Sequence, residues 1–171
     1  MPGKVLVLDT CILCVWLQIP GKTTCGPDHD RWDFARVDAK LRQEELEKAT
    51  FVLPLATIIE TGNHISQTNG DRKKLADSLG KIMQQAANST SPWAAFSDQS
   101  ELWSDGKLGA LAVTWPPLAA QKLSLGDATI QEVAAFYAKT GCHVELLTGD
   151  QGLKAYEPAK PTTLPRRRAR P

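Results

Sequence analysis

The chain is predicted to be an α/β protein, a three-layer parallel sheet with helices on both faces. Three observations support this. Short apolar runs rich in β-branched residues and leucine, Val5 to Leu8, Phe51 to Leu55 and His143 to Leu147, have the length and character of buried parallel strands. The segments between them are longer and carry apolar residues at helical spacing. The chain has 171 residues, 42% of them hydrophobic, and at this size about 70% of the unfolded surface can be buried without disulfide or metal staples.

Taken in order, Val5 to Leu8 ends at Asp9, and Cys11 to Leu17 is an apolar helix start directly behind that strand. Pro20 to Asp30, with two Gly and two Pro, fits no regular element and is expected to be a loop. Trp32 to Ala49 is charge-rich, with Phe34, Val37 and Leu41 at i, i+3 and i+7, which predicts a surface helix with a narrow apolar stripe. The second strand, Phe51 to Leu55, precedes Thr57. Leu75, Leu79, Ile82, Met83 and Ala86 then trace one face of a helix.

Ala87 to Gly106, rich in Ser and Asp, reads as an irregular insertion. Its Trp93, Phe96 and Trp103 suit either anchoring of a long loop or stacking on unpaired bases. Gly109 to Thr114 is a further strand candidate, stopped by Pro116 and Pro117. Ile130, Val133, Ala134 and Tyr137 predict the next helix. Gly141 is a helix stop, and the strand His143 to Leu147 runs into Thr148-Gly149-Asp150.

A single domain over residues 1–157 is followed by a Pro- and Arg-rich tail, 158–171, which is expected to stay flexible and to attract phosphate or solubilise the body. Lys160, Arg166, Arg167, Arg168 and Arg170 place five positive charges there. The rest of the chain has 15 basic against 19 acidic residues, so an acidic body carries a basic tail. No stretch approaches the roughly 18 apolar residues of a membrane span and no signal pattern opens the chain. The four cysteines accordingly read as reduced small hydrophobes of a cytoplasmic protein.

Four acids recur at one structural place, just past a strand end or at the start of the following helix: Asp9, Glu60, Asp127 and Asp150. Each has a local explanation. Asp9 and Asp127 suit helix N-caps, Thr57-x-x-Glu60 fits a capping box, and Gly149-Asp150 suits a turn. In a parallel α/β sheet, however, strand C-termini share one edge, where ligands bind, so the four carboxylates are expected to converge. Carboxylates gathered there repel one another and raise their pKa values, a repulsion that a cation removes. Oxygen ligands select a hard ion, Mg²⁺ or Mn²⁺, able to activate water and to polarise a phosphoryl oxygen.

At these residues the sequence resembles the PIN-domain nucleases. The strand ending in Asp9-Thr10, the Glu60 after the second strand, the Asp127-Ala-x-Ile helix opening and the Thr148-Gly-Asp150 strand end stand in that family's order, over roughly Lys4 to Tyr156. The resemblance implies metal-dependent endoribonuclease activity, with single-stranded or structured RNA cut to 5′-phosphate and 3′-hydroxyl ends. Carried over by position, Asp9, Glu60 and Asp127 would hold the metal directly or through water, one of them orienting the attacking water. Asp150 would complete the site or bind a second ion. Thr10 and Thr148 are hydroxyls placed to bond a carboxylate or a metal-bound water, or simply a helix-start and a strand residue.

About forty residues separate the first two strands, and the middle is enlarged relative to the small toxin ribonucleases that share the fold. A toxin–antitoxin or defence role and RNA processing therefore both stay open. So do an inhibitory or localising protein partner and the homodimer common in the family. The alternative is a non-catalytic module of the same fold that binds RNA or protein.

Other constellations compete. Cys11-x-x-Cys14, Cys25 and His29 offer zinc-ligand types, but Cys11 to Leu17 is an apolar helix start better explained by packing. Asp9-Thr10-Cys11 is similar to the opening of haloacid-dehalogenase-type phosphatases, which need a second Asp where Cys11 stands. Arg72, Lys73 and Lys74 begin a helix against its dipole, which favours pairing with phosphate or an acid, and are the expected RNA-backbone contacts on the body.

Overall fold

A computed structural model describes residues 3–161. The tail expectation beyond Pro161, with its four arginines, lies outside the described residues. In chain order the first elements are β1 (Lys4–Leu8), α1 (Thr10–Trp16), β2 (Thr24–Cys25), β3 (Trp32–Asp33), α2 (Phe34–Leu46), β4 (Thr50–Val52) and α3 (Leu55–Gln67). They are followed by α4 (Arg72–Ala87), α5 (Asp105–Ala120), α6 (Leu125–Lys139), β5 (His143–Leu147) and α7 (Gln151–Lys154), with short 3₁₀ helices at Asp28–Asp30 and Phe96–Trp103.

β1 is the centre of a three-stranded parallel sheet, order β4-β1-β5, with Leu6 opposite Phe51 on one side and Glu145 on the other. Its side chains alternate between two cores. Leu6 and Leu8 face one core with Ile12, Leu13, Val37, Leu41, Leu79 and Ile82 from α1, α2 and α4. Val5 and Val7 face the other with Ile130, Val133 and Tyr137 from α6. Helices thus cover both faces, and β1 is apolar from Val5 to Leu8 because those residues meet no solvent. One polar residue on a sheet face, Glu145, joins Lys4, Lys40 and Glu44 in an ion-pair network at the N-terminal end of β1. Burial raises the Glu145 pKa, but hydrogen bonds from both lysines outweigh it and hold the carboxyl below its ordinary range.

Several expectations are corrected. Gly109 to Thr114 is not a strand but the middle of α5. Its Ala and Leu residues are strong helix formers, and β4, the strand edge it might have joined, is already bridged by Trp93 beside Phe51. Pro116 and Pro117 lie inside the helix, whose last turn is held by Trp115 Nε1 donating to Leu123 O at 3.1 Å. The second strand ends at Val52, and Leu55 already opens α3. The helix expected from Trp32 starts at Phe34, Trp32 itself pairing with Cys25 in the β2–β3 hairpin. Trp93 is buried and meets Phe51 edge-on at 5.7 Å, so it anchors its loop. Of the four cysteines, all free, only Cys14 is buried.

Among the described residues no helix is long and apolar enough to cross a membrane. Since Leu6 is fully buried whereas Val113 on α5 is 76% exposed, Leu6→Ala should cost about 2–5 kcal/mol in urea unfolding and Val113→Ala no more than about 0.5 kcal/mol. Equal losses would contradict this placement of the core.

Candidate functional site

β1 delivers Asp9 to the C-terminal edge of the sheet, where it is the N-cap of α1. Asp9 is 6% exposed, and both of its carboxylate oxygens accept hydrogen bonds. Oδ1 accepts from Thr10 N at 2.6 Å, and Oδ2 accepts from Thr148 Oγ1 at 2.6 Å and from Cys11 Sγ at 3.2 Å. Burial nevertheless pushes the Asp9 pKa up, the three donors opposing this and the Glu60 charge adding to it. The Cys11 thiol is held up strongly by its hydrogen bond with Cys25, by burial and by the Asp9 charge, so it stays a neutral donor to Asp9.

Glu60 comes from the second turn of α3. Its capping-box reading is corrected: α3 starts at Leu55, and Thr57 instead donates from its buried hydroxyl to Leu8 O at 2.8 Å. That bond ties α3 to the last residue before Asp9. Thr10 Oγ1 then donates to Glu60 Oε2 at 2.7 Å, so one threonine holds both carboxylates. Gly126 completes the slot, since a Cβ there would overlap Glu60 Oε1.

Asp127 lies in the first turn of α6 but is not its N-cap; Ser124 is, its Oγ accepting from Asp127 N at 3.0 Å. Burial raises the Asp127 pKa, Ser124 opposes this, and the charges of Asp9, Asp150 and Glu60 add to it. Asp150 is the N-cap of α7 rather than a turn residue, its Oδ1 accepting from Gly152 N and Leu153 N, while its own N donates to Thr148 Oγ1 at 2.9 Å. Thr10 and Thr148 therefore both bond a carboxylate, and Thr148 links Asp9 to the backbone of Asp150.

All four acids line one cleft of about 450 Å³, together with Lys22, Thr24, Cys25, His64 and Ser124. Lys22 and His64 were not singled out in the sequence. The one signal for His64 is its place four residues after Glu60 on the same helix face. The Lys22 to Cys25 wall exists because the β2–β3 hairpin rests on Gly149, where a Cβ would come within 2.7 Å of Gly26 N and 2.8 Å of Cys25 Sγ. Arg36 braces that hairpin, its guanidinium 3.8 Å from the Trp32 ring centroid and 2.6 Å from Asp30.

Arg72, Lys73 and Lys74 are not among the cleft's lining residues. Arg72 Nε donates to Thr68 O, Lys73 pairs with Asp77 at 2.7 Å, and Lys74 N is capped by Asp71. Arg72 and Lys73 line a separate cavity between α3 and α4. His29 sits in an exposed 3₁₀ turn outside the cleft, whereas Cys14, though buried, lines the cleft floor with Cys11 and Cys25.

Among the described residues no three His, Cys, Asp or Glu side chains form a direct ligand set for one ion. The donor set nonetheless fits a hydrated hard cation. Mg²⁺ commonly keeps several waters and uses one or two carboxylates, and the cleft volume is many times the roughly 30 Å³ share of a water molecule. Comparison with family models, with curated proteins and with solved structures yields no match for this chain.

The raised Asp127 pKa has a consequence for stability. The folded state holds that proton more tightly than the unfolded chain, so the group's contribution falls as pH rises from its ordinary value of 3.8 through the raised folded value, and the cost persists above it. Asp127→Asn should therefore melt higher than wild type at pH 7 without added metal, the difference vanishing in acid where Asp127 is protonated in both states. An equal or lower melting temperature at pH 7 would contradict the cost of burying this charge beside the other carboxylates.

Proposed function

We propose that the acidic cleft is the active site of a PIN-type, Mg²⁺- or Mn²⁺-dependent endoribonuclease producing 5′-phosphate and 3′-hydroxyl ends. The observation that carries this reading is the convergence of four carboxylates, from four separate segments, in one cleft at the C-terminal edge of a parallel sheet. Burial first, and the neighbouring carboxylate charges after it, raise the pKa of Asp9 and Asp127, a combination that a bound cation would relieve.

In this reading Glu60, Asp127 and Asp150 would hold the ion directly or through water, with the buried Asp9 completing the set. When bound, such an ion lowers the pKa of water and offsets the charge developing on phosphoryl oxygens. The chain's own contribution is positional. Thr10 fixes Glu60 through Oε2 and leaves Oε1 over Gly126 at the cleft, where it orients the attacking water. Asp127, fixed at the start of α6 by the Ser124 cap, would accept the proton from that water. Thr148 and Cys11 occupy Asp9 Oδ2 and keep that carboxylate from turning away. The basic tail would add long-range attraction for RNA.

A labelled single-stranded RNA incubated with Mn²⁺ or Mg²⁺ should be cut to 5′-phosphate ends. Asp9→Asn and Asp127→Asn should each reduce the rate by about 10²–10⁴-fold with circular dichroism unchanged. Full activity in both variants would refute the site. Metal binding by wild type without cleavage of any RNA would point to the non-catalytic binding module instead.

A further inference from the structure

Two of the four acids are shared by two cavities. Asp127 and Asp150 line the 450 Å³ cleft and also a second, separate cavity of about 310 Å³, bounded by Gln121, Lys122, Leu123 and Tyr156. Each flank carries an ammonium and a ring. On the first flank these are Lys22, at the turn after α1, and His64, one helical turn (about 5.4 Å) along α3 from Glu60. On the second they are Lys122, at the end of α5, and Tyr156, 42% exposed. Among the described residues neither Lys22 nor Lys122 joins an ion pair, unlike Lys4, Lys40, Lys73 and Lys154.

We infer that Lys22 with His64, and Lys122 with Tyr156, bind the strand on opposite sides of the scissile phosphate, so that the substrate is a polynucleotide passing through the site. This rests on the nuclease reading above and deepens it.

The argument is electrostatic. A phosphodiester approaching four carboxylates is repelled along its whole length except where a cation stands, and a bound divalent ion offsets that repulsion only at the phosphate it touches. Phosphates on either side need their own positive charge, and the two lysines supply one each, Lys22 in the first cavity and Lys122 in the second. His64 adds a ring N–H donor beside Lys22. Tyr156 offers an exposed face for a base, an interaction that tolerates any sequence. A terminal phosphate would need only one flank, so two equipped flanks select an internal bond.

The test is a set of RNA strands of one sequence, each with a single neutral methylphosphonate at a different position, cleaved by wild type, Lys22→Gln and Lys122→Gln. Both lysines lie at the surface, and unchanged circular dichroism would confirm intact folds. Wild type should show a raised KM with unchanged kcat when the neutral linkage falls on either side of the cut. Lys22→Gln should lose that sensitivity on one side only and Lys122→Gln on the other. Each variant should also flatten the slope of log affinity against log salt by about 0.7. If wild type cleaves but both variants keep the full two-sided sensitivity, the assignment fails and the nuclease reading stands. If wild type cleaves no strand, the nuclease reading fails and the assignment with it.

Discussion

Asp9 is the constraint around which the rest is arranged. A carboxylate at the end of the central strand, 6% exposed, is costly to bury charged and is held by hydrogen bonds from three donors. Those donors come from both ends of the chain: Thr10 and Cys11 from the start of α1, Thr148 from the end of β5. Meeting them requires β1 and β5 to stand side by side in register, Leu8 opposite Leu147. It also requires the backbone after Thr148 to turn, which it does with Asp150 capping α7. The two cores supply the cohesion that makes this arrangement affordable.

From that anchor the cleft follows by short steps. Thr10 reaches from Asp9 to Glu60, and Thr57 ties the same helix to Leu8 O, so α3 is docked to the strand end at two points. Gly126 admits Glu60 against α6, which brings Asp127 beside it. The result is a region where local electrostatics oppose folding while hydrophobic burial elsewhere supports it. Such conflict between levels is characteristic of functional sites. A structural cluster would instead pair its charges, as Lys4, Lys40, Glu44 and Glu145 do at the other end of β1.

Much of this was legible in the sequence. β1 and β5 are legible because strands buried on both faces are apolar along their length, here at every position save Lys4, His143 and Glu145, and the helices α4 and α6 because one face of each is buried. The four acids were found because parallel topology fixes where strand ends lie. Helix ends were harder. Five helices close with a left-handed residue, but only Gly141 was visible as a stop; Gln18, Lys48, Ser89 and Lys122 adopt positive φ without being glycine. α5 was misread because an Ala- and Leu-rich run followed by two prolines looks like a strand that stops. The cleft wall at Lys22 to Cys25 depends on Gly149 packing against Gly26, a contact across more than a hundred residues that no local pattern records.

The account turns on whether these carboxylates are gathered for a cation. Diffraction at the manganese absorption edge, from crystals grown with and without Mn²⁺, tests that most directly. An anomalous peak between Glu60, Asp127 and Asp150, beside the buried Asp9 and lost in Asp127→Asn, is the result predicted. A fully ordered cleft with no peak at saturating Mn²⁺ would contradict it.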